Sequence, residues 1–208
     1  MKVSRLANKA SMRKALGSGL AARAALFFVV VGAAALACAQ TGAMSPYQDE
    51  ADGVSAGGKW LEFHSADKMT GAKKVRFEIQ SDNYFREDPE YKPRVNLFCS
   101  DGKFKLAVFN PGVKLGPPNR PPGWWGQMQW EVMVRVDDSH YFKGWNWMRN
   151  HSLSMDKGTV RGMMGAQVFK VELPTRSGRQ IAEFSPSGLN LDRVRQACDL
   201  TAKKPSKD

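Results

Sequence analysis

From Trp60 onward, apolar and polar residues alternate through most of the chain. In "KKVRFEIQS", Val75, Phe77 and Ile79 fall on one side, and Lys74, Arg76, Glu78 and Gln80 on the other. Successive side chains of a strand point to opposite faces, so this period of two predicts a half-buried strand. "RVNLFCS" aligns Val95, Leu97 and Cys99, and "KFKLAVF" aligns Phe104, Leu106 and Val108. Ser100, Asp101 and Gly102 between them predict a hairpin turn. "MQWEVMVRVD" sets Met128, Trp130, Val132, Val134 and Val136 inward against Gln129, Glu131, Met133, Arg135 and Asp137. "HYFKGWNW" returns after Asp138 and Ser139 with Trp145 and Trp147 on one face, and "VFKVELPT" and "RQIAEFSP" flank a hairpin at 175–178.

Two stretches have a different rhythm. Residues 157–167 predict a weak helix carrying Gly158, Gly162 and Gly165, each unfavourable in a helix interior. Residues 188–200 predict a terminal helix with Leu191, Val194 and Cys198 on one face and Asn190 as its N-cap. Seven or eight short strands and one closing helix over 58–200 predict a mostly β fold. The expected architecture is an antiparallel β-sandwich or partly open barrel with a short C-terminal helix.

The ends of the chain follow other rules. Lys2, Arg5, Lys9, Arg13, Lys14 and Arg23 precede an apolar run that begins at Ala24 and ends in Ala37, Cys38 and Ala39. A basic start, a short apolar stretch and a small-x-small exit predict a signal peptide over 1–39. The run is shorter than the ~20 residues of a spanning helix, so no stable membrane span is expected after its removal. Met12 is an alternative start, and a lipidated Cys38 is an alternative mature end. Residues 40–57 predict a flexible leader, and 201–208 a disordered basic tail. Removing the six basic residues of 1–39 lowers the formal charge from +11 to +5. The expected location is periplasmic or secreted, with weak contact to anionic envelope surfaces. No basic helix or arginine-and-aromatic sheet motif points to nucleic acid.

Export leaves two cysteines, Cys99 and Cys198. In an oxidising compartment two cysteines usually pair, the alternative being two buried thiols. His64, His140 and His151 are not at ligand spacing, and no metal or cofactor is expected. Residues 53–57, "GVSAG", match the nucleophile-elbow pattern around Ser55 but lack the strand–turn–helix setting that it needs. Loop carboxylates at Asp67, Asp82, Asp88 and Asp138 leave an envelope hydrolase as the third reading. Tryptophans are more telling. Trp124, Trp125, Trp130, Trp145 and Trp147 crowd one region, entered through "GPPNRPPGWWGQMQW" at 116–130. Trp130 continues the inward stripe. Trp124, Trp125, Trp145 and Trp147, with Arg120, form the candidate ligand or partner surface. The competing reading is a loop folded over a sheet edge.

The order "VNLFC", "VMVRVDD", Trp147 with Ser152, "FKVELP" and "AEFSPSGLNLDRVRQAC" resembles the type VI secretion-associated VasI/TagO-like exported proteins. The "SADKMTGAKKV" opening resembles theirs too, so that the likeness covers 66–199. It implies a periplasmic, non-catalytic β-rich module with its two cysteines paired. The expectation is an exported envelope accessory or binding module without catalytic activity, facing an envelope protein. The alternative is a carbohydrate- or peptidoglycan-binding module whose tryptophans stack on sugar rings.

Overall fold

The structure, a computed structural model, describes residues 52–203 except Trp124. Residues 1–39, expected to be a signal peptide, residues 40–51 of the expected leader and residues 204–208 of the expected tail lie outside the described residues. Ten strands form one antiparallel sheet: β1 (Val54–Gly57), β2 (Trp60–Ala66), β3 (Lys73–Gln80), β4 (Arg94–Ser100), β5 (Lys103–Asn110), β6 (Gln129–Val136), β7 (Ser139–Trp147), β8 (Leu153–Met155), β9 (Phe169–Thr175) and β10 (Gly178–Phe184). Two helices complete it, α1 (Lys157–Met163) and α2 (Leu191–Cys198). The strand order is β1-β2-β3-β4-β5-β8-β7-β6-β9-β10, and the sheet does not close on itself. This is the β-sandwich or partly open barrel, with its C-terminal helix, that the alternation predicts. None of the helices among the described residues is long and apolar enough to cross a membrane.

Alternation places the core. Phe77, Ile79, Val95, Leu97, Cys99, Trp130, Val132 and Val134 are buried as their stripes predict, and Val75 and Val136 are half-buried. Phe109 lies among other rings, with its centroid 5.9 Å from Trp145 and 6.3 Å from Phe184. Aromatic pairs at such separations add about 0.5–1.5 kcal/mol beyond the area they bury.

β5 departs from its predicted stripe. Cys99 pairs with Phe104 while Phe98 pairs with Leu106, so Lys105 is an extra residue in the ladder. A bulge of this kind reverses the side-chain parity beyond it. Phe104 stays inward, but Ala107 and Phe109 take the core, and Leu106 and Val108 turn to the outer face. Met128 is also a correction, because it precedes β6 and is exposed. In α2, Asn190 Oδ1 accepts the Arg193 N–H at 3.1 Å, as a cap should, and Val194 and Cys198 are buried. Leu191, in the first turn, is exposed instead of sharing their burial.

Both domain ends extend further than the sequence predicts. Val54–Gly57, assigned to the leader, is β1, paired with β2. Thr201, at the start of the assigned tail, is held by α1: Arg161 Nε donates to its carbonyl at 2.9 Å, and the Lys203 N–H donates to the Arg161 carbonyl at 2.8 Å. Cys99 and Cys198 are bonded, with Cα atoms 5.1 Å apart, and tie α2 to β4.

Candidate functional site

The 111–128 connection has to leave β5 and reach β6, passing two intervening strands in the sheet order. Its first part is a closure. Pro111, Val113, Leu115 and Gly116 are buried. The ladder between β6 and β9 stops at Met133 and Glu172, and the strands part beyond that point. Leu115 bridges to Thr175, and the Gly116 N–H donates to the Pro174 carbonyl at 3.1 Å. Trp130 Nε1 donates to the Gly116 carbonyl at 3.0 Å, which satisfies a buried indole. The connection therefore fills the gap with backbone that pairs with β9.

Its second part is on display. Every residue from 117 to 122 is exposed. Asn119 Oδ1 accepts the Glu131 N–H at 2.7 Å, on the stretch of β6 that β9 no longer covers. Arg120 bridges to Gln129, and its Nε lies 3.9 Å from Glu131 Oε2. The guanidinium rests on Gly144 of β7. A Cβ there would sit 2.4 Å from Arg120 Nη1, so any larger residue would displace the end of the arginine. Beyond Gly123 a tight turn, closed by the Gly126 N–H to the Gly123 carbonyl at 2.9 Å, carries Trp125. Trp125 is 81% exposed. The Trp147 N–H then donates to the Met128 carbonyl at 2.9 Å and fastens the far end of the loop to β7.

The predicted tryptophan surface divides accordingly. Trp125 is at the tip, and Trp147, at the end of β7, is 40% exposed. Trp145 is a correction: it is buried opposite Trp130, packed on Phe109, with Nε1 donating to Asp156 Oδ2 at 3.4 Å. It belongs to the core and offers nothing to a ligand. Trp124 lies outside the described residues. The loop thus has a buried half that closes the gap between β6 and β9, which are internal strands rather than a sheet edge, and an exposed half that carries Trp125. Phe142, which the sequence reading did not single out, and Met128, which it placed inward, are both exposed.

The remaining candidates are held in local roles. Ser55 sits on β1 opposite Leu61, whereas Val54 opposes Glu62, so its side chain lies on the face away from the Glu62–His64 side of β2. The glycines around it serve packing. A Cβ on Gly53 would lie 2.7 Å from the Phe63 ring. One on Gly57, at φ +100°, would lie 2.2 Å from the Gly188 carbonyl oxygen. Asp67 accepts from Lys74 Nζ at 2.7 Å and from the N–H groups of Met69 and Thr70. These bonds hold its pKa well below the usual carboxylate range. Asp82 bonds Lys59 and Ser185, Asp88 caps the N–H groups of Glu90 and Tyr91, and Asp138 lies 3.8 Å from Arg135. Asp137, in the "VMVRVDD" motif, accepts the Gln167 and Val168 N–H groups at 2.8 and 2.9 Å and so fixes the approach to β9.

One cleft of about 800 Å³ opens between α2 and the β2–β3 pair. Its buried carboxylate, Glu62, is met on one oxygen by Arg193 Nη1 at 3.2 Å and on the other by His64 Nε2 at 2.9 Å. His140 and His151 are exposed on other elements. Among the described residues, no three His, Cys, Asp or Glu side chains gather into a group that would hold a metal ion.

Fold and site together define a β-rich module with an anchored, aromatic-tipped loop. Comparison with known protein families, characterised proteins and solved structures finds no match.

Proposed function

We propose that this chain is an exported cell-envelope accessory or binding module without catalytic activity, and that it acts by presenting the 116–130 loop to an envelope partner. The observation that carries this is Trp125, 81% exposed at the tip of a loop that is fastened at both ends. A large apolar ring held in water by a rigid mount loses little entropy on docking, which is the property of an interface anchor. The basic and apolar start of the chain supports export. The resemblance to the VasI/TagO-like proteins supports an association with type VI secretion, and the paired Cys99 and Cys198 suit an oxidising envelope.

The exposed faces of Trp125 and Trp147 favour a second reading, stacking on the sugar rings of peptidoglycan. One titration compares the two. Intrinsic fluorescence is followed as the chain meets purified muropeptides, and separately as it meets a soluble envelope-protein fraction. The proposal expects a saturable change with protein, abolished in Trp125→Ala, and none with muropeptides. A muropeptide response lost in Trp125→Ala establishes the glycan reading instead. Indifference of Trp125→Ala to both ligands overturns the loop as the site.

A further inference from the structure

The core-side face of β2 begins with Trp60, which is buried, and continues with Glu62, His64 and Ala66. Glu62 is only 6% exposed. A buried carboxylate is costly unless it is paired, and an apolar residue would fill that position without the cost. Departures of this kind from the core pattern concentrate at functional sites. Here the departure opens onto the cleft of about 800 Å³ between α2 and the β2–β3 pair. Glu62 holds Arg193 at the wall of that cleft. Arg193 Nη1 donates to Glu62 Oε2 at 3.2 Å and to the Ser55 carbonyl at 3.1 Å. Both bonds are made by one nitrogen. Among the described residues nothing bonds Nε or Nη2, the side-on edge of a guanidinium that meets a carboxylate through two parallel N–H groups. Gln196 and Ala197 follow Arg193 by three and four residues, so they share its face of α2 and line the same wall. On β3, Lys73 lies opposite Ala66, and its ammonium has no partner among the described residues.

We infer that this cleft is a second binding site and that it takes the C-terminal carboxylate of a short peptide ending in an apolar residue. Its lining carries Lys73, Lys74 and Arg193 against the single carboxylate of Glu62, so it favours an anion over a cation. Lys74 is bonded to Asp67 and Arg193 Nη1 to Glu62, which leaves the Lys73 ammonium and the Arg193 edge for the ligand. Val54, Val75 and Ala197 offer apolar surface to the last side chain. The Gln196 carboxamide, which makes no hydrogen bond among the described residues, is placed to meet the preceding peptide group. A plain alkyl acid would leave that amide unused. The volume lies within the roughly 300–1,000 Å³ of small-molecule sites. Glu62 is a positioning residue, since it fixes the guanidinium without itself facing an anion favourably. The cleft is built on β2, β3 and α2, whereas the 116–130 loop is fastened to β6, β7 and β9. The two sites therefore stand or fall separately.

The test follows the backbone amides of the disulfide-bonded chain by NMR during titration with N-acetyl-alanyl-valine, its C-terminal amide, and hexanoate. The free acid is expected to give saturable shifts in β2, β3 and α2, weakened by added salt. The amide lacks the charge and should bind at least about tenfold more weakly, the worth of a charge-assisted pair. Lys73→Gln removes a side chain with no protein partner, so it should melt with the parent and weaken the acid several-fold while leaving the amide unchanged. Arg193→Gln/Glu62→Gln removes both charges together, so that neither is left buried alone, and should abolish the preference for the acid. Trp125→Ala should bind the acid as the parent does. Equal affinity for acid and amide, or an unchanged preference in Lys73→Gln and in the double variant, overturns the carboxylate site. Hexanoate binding as tightly as the dipeptide overturns the peptide as occupant. Absence of saturable shifts, or shifts confined to 117–128 and lost in Trp125→Ala, overturns the cleft and leaves the loop reading untouched.

Discussion

Asp156 joins α1 to β7 through one carboxylate. It is the N-cap of α1, accepting the Thr159 N–H at 2.9 Å and the Thr159 hydroxyl at 2.7 Å, and it also accepts from Trp145 Nε1. Lys143 Nζ lies 3.6 Å away. Burial pushes its pKa up, but the Thr159 bonds and the Lys143 charge outweigh that, and the net direction is down. A depressed folded-state value means that the ionised group adds stability above the unfolded value of about 4. That contribution is lost as pH falls through the folded value. Asp156→Ala is expected to cost about 1 kcal/mol near neutral pH, the worth of a lost cap. The gap from the parent should narrow in strong acid. Asp156→Asn keeps a capping oxygen and should lose chiefly the acid dependence. Urea midpoints measured across the pH range check this, and a gap that stays constant into strong acid would refute the role of the charge. At this scale the sequence was legible where the signal was local. Asn190 sits directly before its helix, and Asp156 sits before "KGTV" just as plainly, but its link to Trp145 is a tertiary contact that no spacing reveals.

The elements show the same division. β3, β4, β6 and β9 are long enough for alternation to set their faces, and they do so, whereas in β10 Gln180 is buried and Ile181 exposed. β5 misleads because one inserted residue, Lys105, reverses its parity, and a bulge leaves no mark in a pattern of this length. β1 and β8, of four and three residues, are too short to show a period. The 116–130 segment was legible as special, but the fate of each tryptophan was not. Trp145 and Trp147 share a face in sequence, and only the end of the strand separates a buried ring from a half-exposed one. The bridge between Cys99 and Cys198 is the strongest single tie between elements, spanning a sequence separation of 99. A loop of that size gives ~3–5 kcal/mol in the chain-entropy account. Cys99→Ser/Cys198→Ser should lose about that much in urea unfolding. Amide exchange should quicken first in α2, since Val194 is its other buried apolar anchor. Uniform quickening across the sheet, with α2 no faster than β4, would contradict a local staple.

The whole molecule has the difficulty of an open sheet: two edges whose unpaired backbone groups invite pairing with another chain. The β1 edge is covered by the C-terminal segment, where the Asn190 N–H donates to the Ala56 carbonyl at 2.8 Å and Arg193 Nη1 to the Ser55 carbonyl at 3.1 Å. The β10 edge is covered by the link between β3 and β4. There the side chain of Asn83 acts as a peptide group would. Its Nδ2 donates to the Ile181 carbonyl at 2.7 Å, and its Oδ1 accepts the Glu183 N–H at 2.9 Å. The Asp82 N–H adds a bond to the Glu183 carbonyl at 2.6 Å, and Gln180 Oε1 accepts the Arg86 N–H at 2.7 Å. Ile181, 44% exposed, lies on the strand that this cover protects. Asn83→Ala removes two of the edge bonds and no core contact. The net worth of such bonds is about 0.5–1.5 kcal/mol each, so the monomer should remain folded with a modestly lower melting temperature. Association should change more than stability. Light scattering and thioflavin fluorescence at high concentration are expected to rise with time in Asn83→Ala and to stay flat in the parent. Ile181→Lys, placed in the same background, should suppress the rise, because a charge on an exposed edge opposes pairing with a second edge. If Asn83→Ala stays monomeric at every concentration, the Asn83 side chain is a structural tether rather than an edge guard.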